Sequence, residues 1–172
     1  WNLSDQSHLQ WGVHYDRVEN ANALNDTTWS FNQFSPRAGL SHQLGEGNTV
    51  KLAAFEVVLP FLSDRLAPAD LVGIPLYRNG VEGSIIREWD LVWEQESDHT
   101  FISATLFHAE SDYPERQTNQ SMREWQATVK GLELELNTIP ADQWGASAGY
   151  QYKNIENEQV TSLDRSEQIL DG

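Results

Sequence analysis

Apolar and polar residues alternate one by one over stretches of about ten residues, and these stretches recur along the chain. Between 144 and 153, Trp144, Ala146, Ala148, Tyr150 and Tyr152 interleave with Gly145, Ser147, Gly149, Gln151 and Lys153. Successive strand side chains point to opposite faces, so one face here is apolar with aromatics at both ends and the other is small or polar. The same reading predicts strands over 8–18, 34–44, 49–58, 84–95, 100–109, 123–136 and 143–154, followed by a polar tail.

The individual strands differ in clarity. Leu9, Trp11, Val13 and Tyr15 oppose His8, Gln10, Gly12, His14 and Asp16, and Ile85, Trp89, Leu91 and Trp93 oppose Glu88, Asp90 and Glu94. In the second strand, Pro36 lies near the expected start, where a missing N–H is tolerated. The third is ambiguous in face, because Ala53, Ala54 and Phe55 are consecutive. The sixth changes character at Gly131: Trp125, Ala127 and Val129 form the apolar set before it, and Leu132, Leu134 and Leu136 after it. A bulge at the glycine, or a strand rising above the membrane, would explain that switch. Brief turns at 45–48, 96–99 and 140–142 alternate with long polar connections at 19–30, 59–81 and 110–120.

Strands in soluble proteins are usually about 5–6 residues long, roughly half of what the pattern gives here. Eight steps from Trp144 to Tyr152 at about 3.3 Å, tilted about 40°, span roughly 20 Å, near the ~25 Å apolar band of a membrane barrel. The expected fold is therefore all-β, an antiparallel transmembrane β-barrel with long external loops and short periplasmic turns. Seven strands are an odd number and single-chain barrels are normally even, so the chain is expected to be a segment of a larger barrel. Such an incomplete sheet leaves two unpaired edges and does not close alone. The competing fold is a soluble β-sandwich, whose strands also alternate.

Composition changes this picture little. Hydrophobic residues make up 39% of the 172 residues and no run of eighteen apolar residues occurs, so no transmembrane helix is available. That test does not bear on barrels, since only alternate strand residues meet lipid. Without cysteine there is no disulfide framework and no thiolate metal site. A net charge of -15 argues against nucleic acid as a partner. The acid is concentrated in the expected loops, among them Asp64, Asp70, Asp112, Glu115 and Asp164. It serves there either as a solvated surface or as a cation-chelating one.

Several segments resemble TonB-dependent receptors of the outer membrane. Phe34 to Ser41 is similar to that family's "SPR-x-GL" strand, and Arg87 to Glu94 to its "E-x-x-(E/D)-LG(W/Y)E" strand. Gly131 to Leu136 is similar to its "G-(V/L)-E-L-E" strand and Ser147 to Tyr152 to its "S-A-G-Y-x-Y" strand, in matching order. Lys51 to Phe55 followed by Leu66 to Gly73 also resembles barrels preceded by tetratricopeptide repeats, with Asp70 and Leu71 departing from their run. The resemblance implies a bacterial outer-membrane transport barrel, passing a scarce solute such as a metal chelate. Its implied partners are outer-membrane lipid and a periplasmic energising or export protein. The tetratricopeptide-linked subgroup would instead imply export or surface assembly of polysaccharide or protein. A carbohydrate-binding β-sandwich remains as the soluble alternative, with tryptophans as sugar platforms.

No hydrolase, phosphate-loop or zinc-protease motif is present, so no catalytic residues and no cofactor are assigned. His14 and Asp16, with His8 further down, could offer a cation imidazole and oxygen ligands, but polar residues on a lumen face are expected regardless, and no metal is assigned. Glu88, Asp90, Glu94, Glu133 and Glu135 are expected to line a wet lumen and pair with basic residues of neighbouring strands. Trp11, Trp89, Trp93, Trp144, Tyr150 and Tyr152 are expected at the headgroup level, where an amphipathic ring is favourable. Tyr77 and Arg78, on the loop between 60 and 80, are the candidate external ligand contacts.

Overall fold

The computed structural model describes residues 1–22, 27–59, 70–76, 84–116, 122–141, 144–157 and 165–171. Within these, side chains are described outside 18–22, 27–31, 114–116, 122–125, 140–141 and 165–171. In chain order the strands are β1 (Asn2–Ser4), β2 (Ser7–Asn22), β3 (Thr27–Gly45), β4 (Asn48–Val58), β5 (Asp70–Leu71) and β6 (Ile74–Pro75). They continue with β7 (Ile85–Glu96), β8 (Thr100–Arg116), β9 (Met122–Ala141), β10 (Trp144–Asn157) and β11 (Arg165–Asp171). Nine of them form one antiparallel sheet in the order β1-β2-β3-β4-β7-β8-β9-β10-β11, while β5 and β6 make a separate small hairpin. The sheet is open, with β1 and β11 at its edges.

All seven expected strands are present, and the sheet extends beyond them. The β2–β3 and β8–β9 hairpins reach Asn22–Thr27 and Arg116–Met122, so most of the segments expected as loops at 19–30 and 110–120 is paired strand. Ladder bonds persist there, but the apolar alternation that reveals a strand does not. The polar tail likewise supplies β11, paired to β10 from Gly149 to Ile155. Among the described residues, the widest separation between neighbouring strands of the sheet is from β4 to β7, and β5 and β6 lie between them in sequence.

Register resolves the two ambiguous strands. Ala54 stands between Ala38 and Trp89 on the outer face, and Ala53 between Gly39 and Asp90 on the inner one. At Gly131 there is no bulge, since pairing to both Phe107 and Lys153 continues unbroken. A side chain there would collide with the Phe107 ring and the Tyr152 carbonyl, so glycine makes room for the phenylalanine. The apolar set switches because Ala127 and Val129 pack inward above the apolar band, whereas Leu132, Leu134 and Leu136 face outward within it. Pro36 is not near the start of β3, but it stands where the β3–β4 ladder ends at Arg37. One flank of the strand opens there, and a missing donor is tolerated.

On the outer face one ladder row reads Leu9, Leu40, Leu52, Leu91, Leu106, Leu132 and Tyr152 across seven consecutive strands. Leu52 and Leu106 in that row are 49% and 47% exposed, a surface that water disfavours and lipid does not. The apolar band crosses the strands obliquely. Gly12, mid-way along the β2 apolar set, is carried by the ladder to Ile155, seven positions past Ala148 in the middle of the β10 set. Seven residues are about 23 Å and six inter-strand steps about 29 Å, which gives a slant of roughly 40°, the strand tilt of a membrane barrel. A soluble sandwich would cover this face with a second sheet, and none lies on it among the described residues.

Candidate functional site

The inner face divides into two regions of opposite character. Over β3, β4 and β7 it is dry. The β5–β6 hairpin lies against it, and Leu71, Val72, Ile74 and Leu76 form one buried cluster with Ala53, Phe55 and Val92. Contact is close enough to require glycine at 39, where a Cβ would lie 2.8 Å from Leu71 Cγ. The hairpin turns at Val72 and Gly73, both with positive φ (50° and 80°), a conformation that costs a β-branched residue about 1–3 kcal/mol. One hydrogen bond holds the turn from a further strand. The Val72 N–H donates to Gln10 Oε1 of β2 at 2.9 Å. Lys51 Nζ of β4 lies beneath Gly73 and is paired with Glu94 of β7 at 2.7 Å.

Toward the short-turn end of β8, β9 and β10 the inner face is wet. Ser103, Thr105, Glu133, Glu135, Asn137, Ser147 and Gln151 line an open polar trough. Gln151 donates to Glu133, and Asn137 Nδ2 to Glu135 Oε1 at 2.6 Å. Small residues at 103, 147 and 149 keep this trough open.

The expected site residues distribute as follows. Glu88, Asp90, Glu94, Glu133 and Glu135 all belong to the inner face by register. Glu94 pairs with Lys51, and Glu133 and Glu135 lie in the trough. Glu88 and Asp90 do not line a wet interior: they are 6% and 1% exposed, beside Phe55 and Ala53 in the dry region. Trp11, Trp89, Trp93, Trp144, Tyr150 and Tyr152 all share the outer face. Trp11 packs edge-on against Trp1 at 6.2 Å, and Trp89 stacks on His108 at 5.7 Å. Just beyond Trp89 the outer face turns ionic, with Arg87 between Glu56 (2.8 Å) and Asp112 (2.7 Å). Tyr77 and Arg78 lie outside the described residues.

His14 meets Asp16 at 3.3 Å, while His8 bonds Asn2 instead at 2.9 Å. No cluster of three or more His, Asp or Glu able to hold a metal forms among the described residues. What sequence reasoning missed is the docking set of Gln10, Gly39 and Lys51. The available signal was Leu71-Val72-Gly73-Ile74-Pro75-Leu76, apolar residues around a glycine in a stretch otherwise read as a polar excursion.

Residues 1–171 match the family described as TonB dependent receptor-like, beta-barrel. The chain belongs to this family. It is accordingly part of a β-barrel of the bacterial outer membrane. No curated protein matches it. Among solved structures it is similar to the alcaligin outer-membrane receptor FauA of Bordetella pertussis, with a TM-score of 0.68 at 19% identity over 98% of this chain and 31% of that one. It is also similar to the ferripyoverdine receptor of Pseudomonas aeruginosa, bound to ferripyoverdine, with a TM-score of 0.67 at 17% identity over 99% and 24%. A third is the ferric-catecholate import receptor Fiu of E. coli K12, with a TM-score of 0.63 at 13% identity over 91% and 26%. At these identities the likeness is one of fold, and this TonB-dependent receptor-like chain spans about a quarter to a third of each structure's length.

Proposed function

We propose that this chain forms part of the wall of an outer-membrane receptor that imports a scarce solute of the metal-chelate kind. The import is energised by a periplasmic partner, and the protein performs no chemistry on the solute. The observation that carries the reading is the family match over 1–171, joined to a fold shared with receptors for alcaligin, ferripyoverdine and ferric catecholates. In this reading the long-loop end faces outward and the short turns face the periplasm. Trp11, Trp89, Trp93, Trp144, Tyr150 and Tyr152 form the aromatic girdles, and Glu94, Glu133 and Glu135 line the lumen. Tyr77 and Arg78 contact the solute from the loop that carries the hairpin.

The test is uptake of radioactive iron by the native host with and without the full-length gene, supplied in turn as hydroxamate, catecholate and mixed chelates. Loss of one chelate class, and its dependence on the proton gradient, is the expected result. Unchanged uptake of every chelate, with loss of a surface polysaccharide or protein instead, would replace import by export.

A further inference from the structure

We infer that the β5–β6 hairpin is a resident lining of the transport lumen: it stays docked while solute passes, and its outer edge replaces the wall as the surface that solute meets. This rests on the import reading above. Three observations carry it. First is depth: Gln10 and Gly39, which hold the hairpin, and Lys51, which lies beneath its turn, neighbour Leu9, Leu40 and Leu52 of the outer leucine row. A connection from the long-loop end thus reaches down the inner face to the level of that row. Second is how it is held. Four apolar side chains are buried against the wall, a glycine at 39 admits them, and a hydrogen bond from the Val72 N–H to Gln10 of β2 fixes the turn. A segment that leaves and returns in each cycle would strip this apolar surface into water every time. Third is which side is exposed. Asp70, Gly73 and Pro75 are exposed, while Leu71, Val72, Ile74 and Leu76 face the wall. Over β3, β4 and β7 the solute therefore meets a short edge of one carboxylate, a glycine and a proline. The carboxylates of Glu88 and Asp90 are buried and out of its reach.

The chain's lack of cysteine makes the test direct. In the full-length protein in outer-membrane vesicles, single cysteines are placed by Asp70→Cys, Pro75→Cys, Ala53→Cys and Glu135→Cys and treated with a bulky membrane-impermeant maleimide. Positions 70, 75 and 135 should label and position 53 should not. Adding Gly39→Leu, or Leu71→Ala where the first variant fails to assemble, should raise labelling at 53 by roughly tenfold. Equal labelling of 53 and 135 in the unaltered background would overturn the docking.

Residency is tested by the pair Gly39→Cys and Leu71→Cys. A Cβ at 39 sits 2.8 Å from Leu71 Cγ, whose place a cysteine sulfur would take, a spacing suited to a disulfide; it also sits 2.9 Å from Val72 Cγ2, so Val72→Ala accompanies the pair to admit the new side chain. The bridge should form on oxidation and leave ferric-chelate uptake within about twofold of the reduced protein. Failure to bridge, or uptake lost on bridging and restored by reductant, would overturn the inference. Labelling and bridging need no solute. Absent uptake in the unbridged protein would therefore count against the import reading alone, and the labelling pattern would then decide the lining.

Discussion

Glu88 and Asp90 on β7, and Glu133 and Glu135 on β9, are the same motif in sequence: two acids two residues apart, alternating with apolar neighbours. Both pairs occupy the inner face of one sheet. Yet the first pair is buried in the dry region, and the second lies in an open trough among Ser103, Thr105, Ser147 and Gln151. In the first region, residues of the β4–β7 connection fold back onto Ala53, Phe55 and Val92, of which Ala53 and Phe55 are the strand partners of Asp90 and Glu88. Alternation tells which face a side chain takes, and the chain's own loops decide what that face meets.

The sharpest way to break the comparison is to place the same charge in both regions. Ala53→Asp buries an unpaired carboxylate against Phe55 and Leu71 and should cost about 4 kcal/mol, read as a fall in the urea midpoint of the lipid-embedded protein. Ser147→Asp in the trough should change that midpoint by less than about 0.5 kcal/mol. Equal losses at the two positions would erase the distinction between dry and wet regions.

The outer face supplies the next contrast. Leu91→Arg, in the leucine row, should cost about 2–4 kcal/mol in bilayers, and the loss should shrink in detergent micelles that let the side chain reach water. Gly131→Val drives a side chain into Phe107 and should cost about 1–3 kcal/mol, with Phe107→Ala in the same chain recovering part of it. The smallest effect is at Lys51, beneath the hairpin turn. Lys51→Met removes a half-screened ion pair with Glu94 and should cost about 1 kcal/mol or less, a loss that diminishes further at high salt.

Alternation made the strands legible wherever one face meets lipid. Trp11, Val13 and Tyr15, or Leu132, Leu134 and Leu136, announce their face because their neighbours are polar or small. It failed at Ala53-Ala54-Phe55 because the inner face there is as apolar as the outer, which only the covering hairpin explains. It failed again above the apolar band, where the paired residues 19–22, 27–30 and 110–116 carry no sustained apolar alternation and look like loop. The dry surroundings of Glu88 and Asp90 were not legible from β7 at all, because the hairpin that buries Ala53, Phe55 and Val92 beside them lies in a segment whose apolar residues follow no strand or helix period. Gly131 was legible as an anomaly. Its cause was not, since Phe107 is 24 positions away and meets it only through the β8–β9 register.

The most direct measurement is the accessibility of nitroxide labels placed one at a time from 88 to 94 and from 132 to 136, in the full-length protein in bilayers. The predicted result is a period of two, with oxygen reaching 89, 91, 93, 132, 134 and 136 from the lipid. A water-soluble nickel chelate should reach 133 and 135, and neither reagent should reach 90. Labels at 89 and 91 that meet the nickel chelate rather than oxygen, or a profile with no period, would contradict the sorting of side chains into lipid-facing and inward-facing sets.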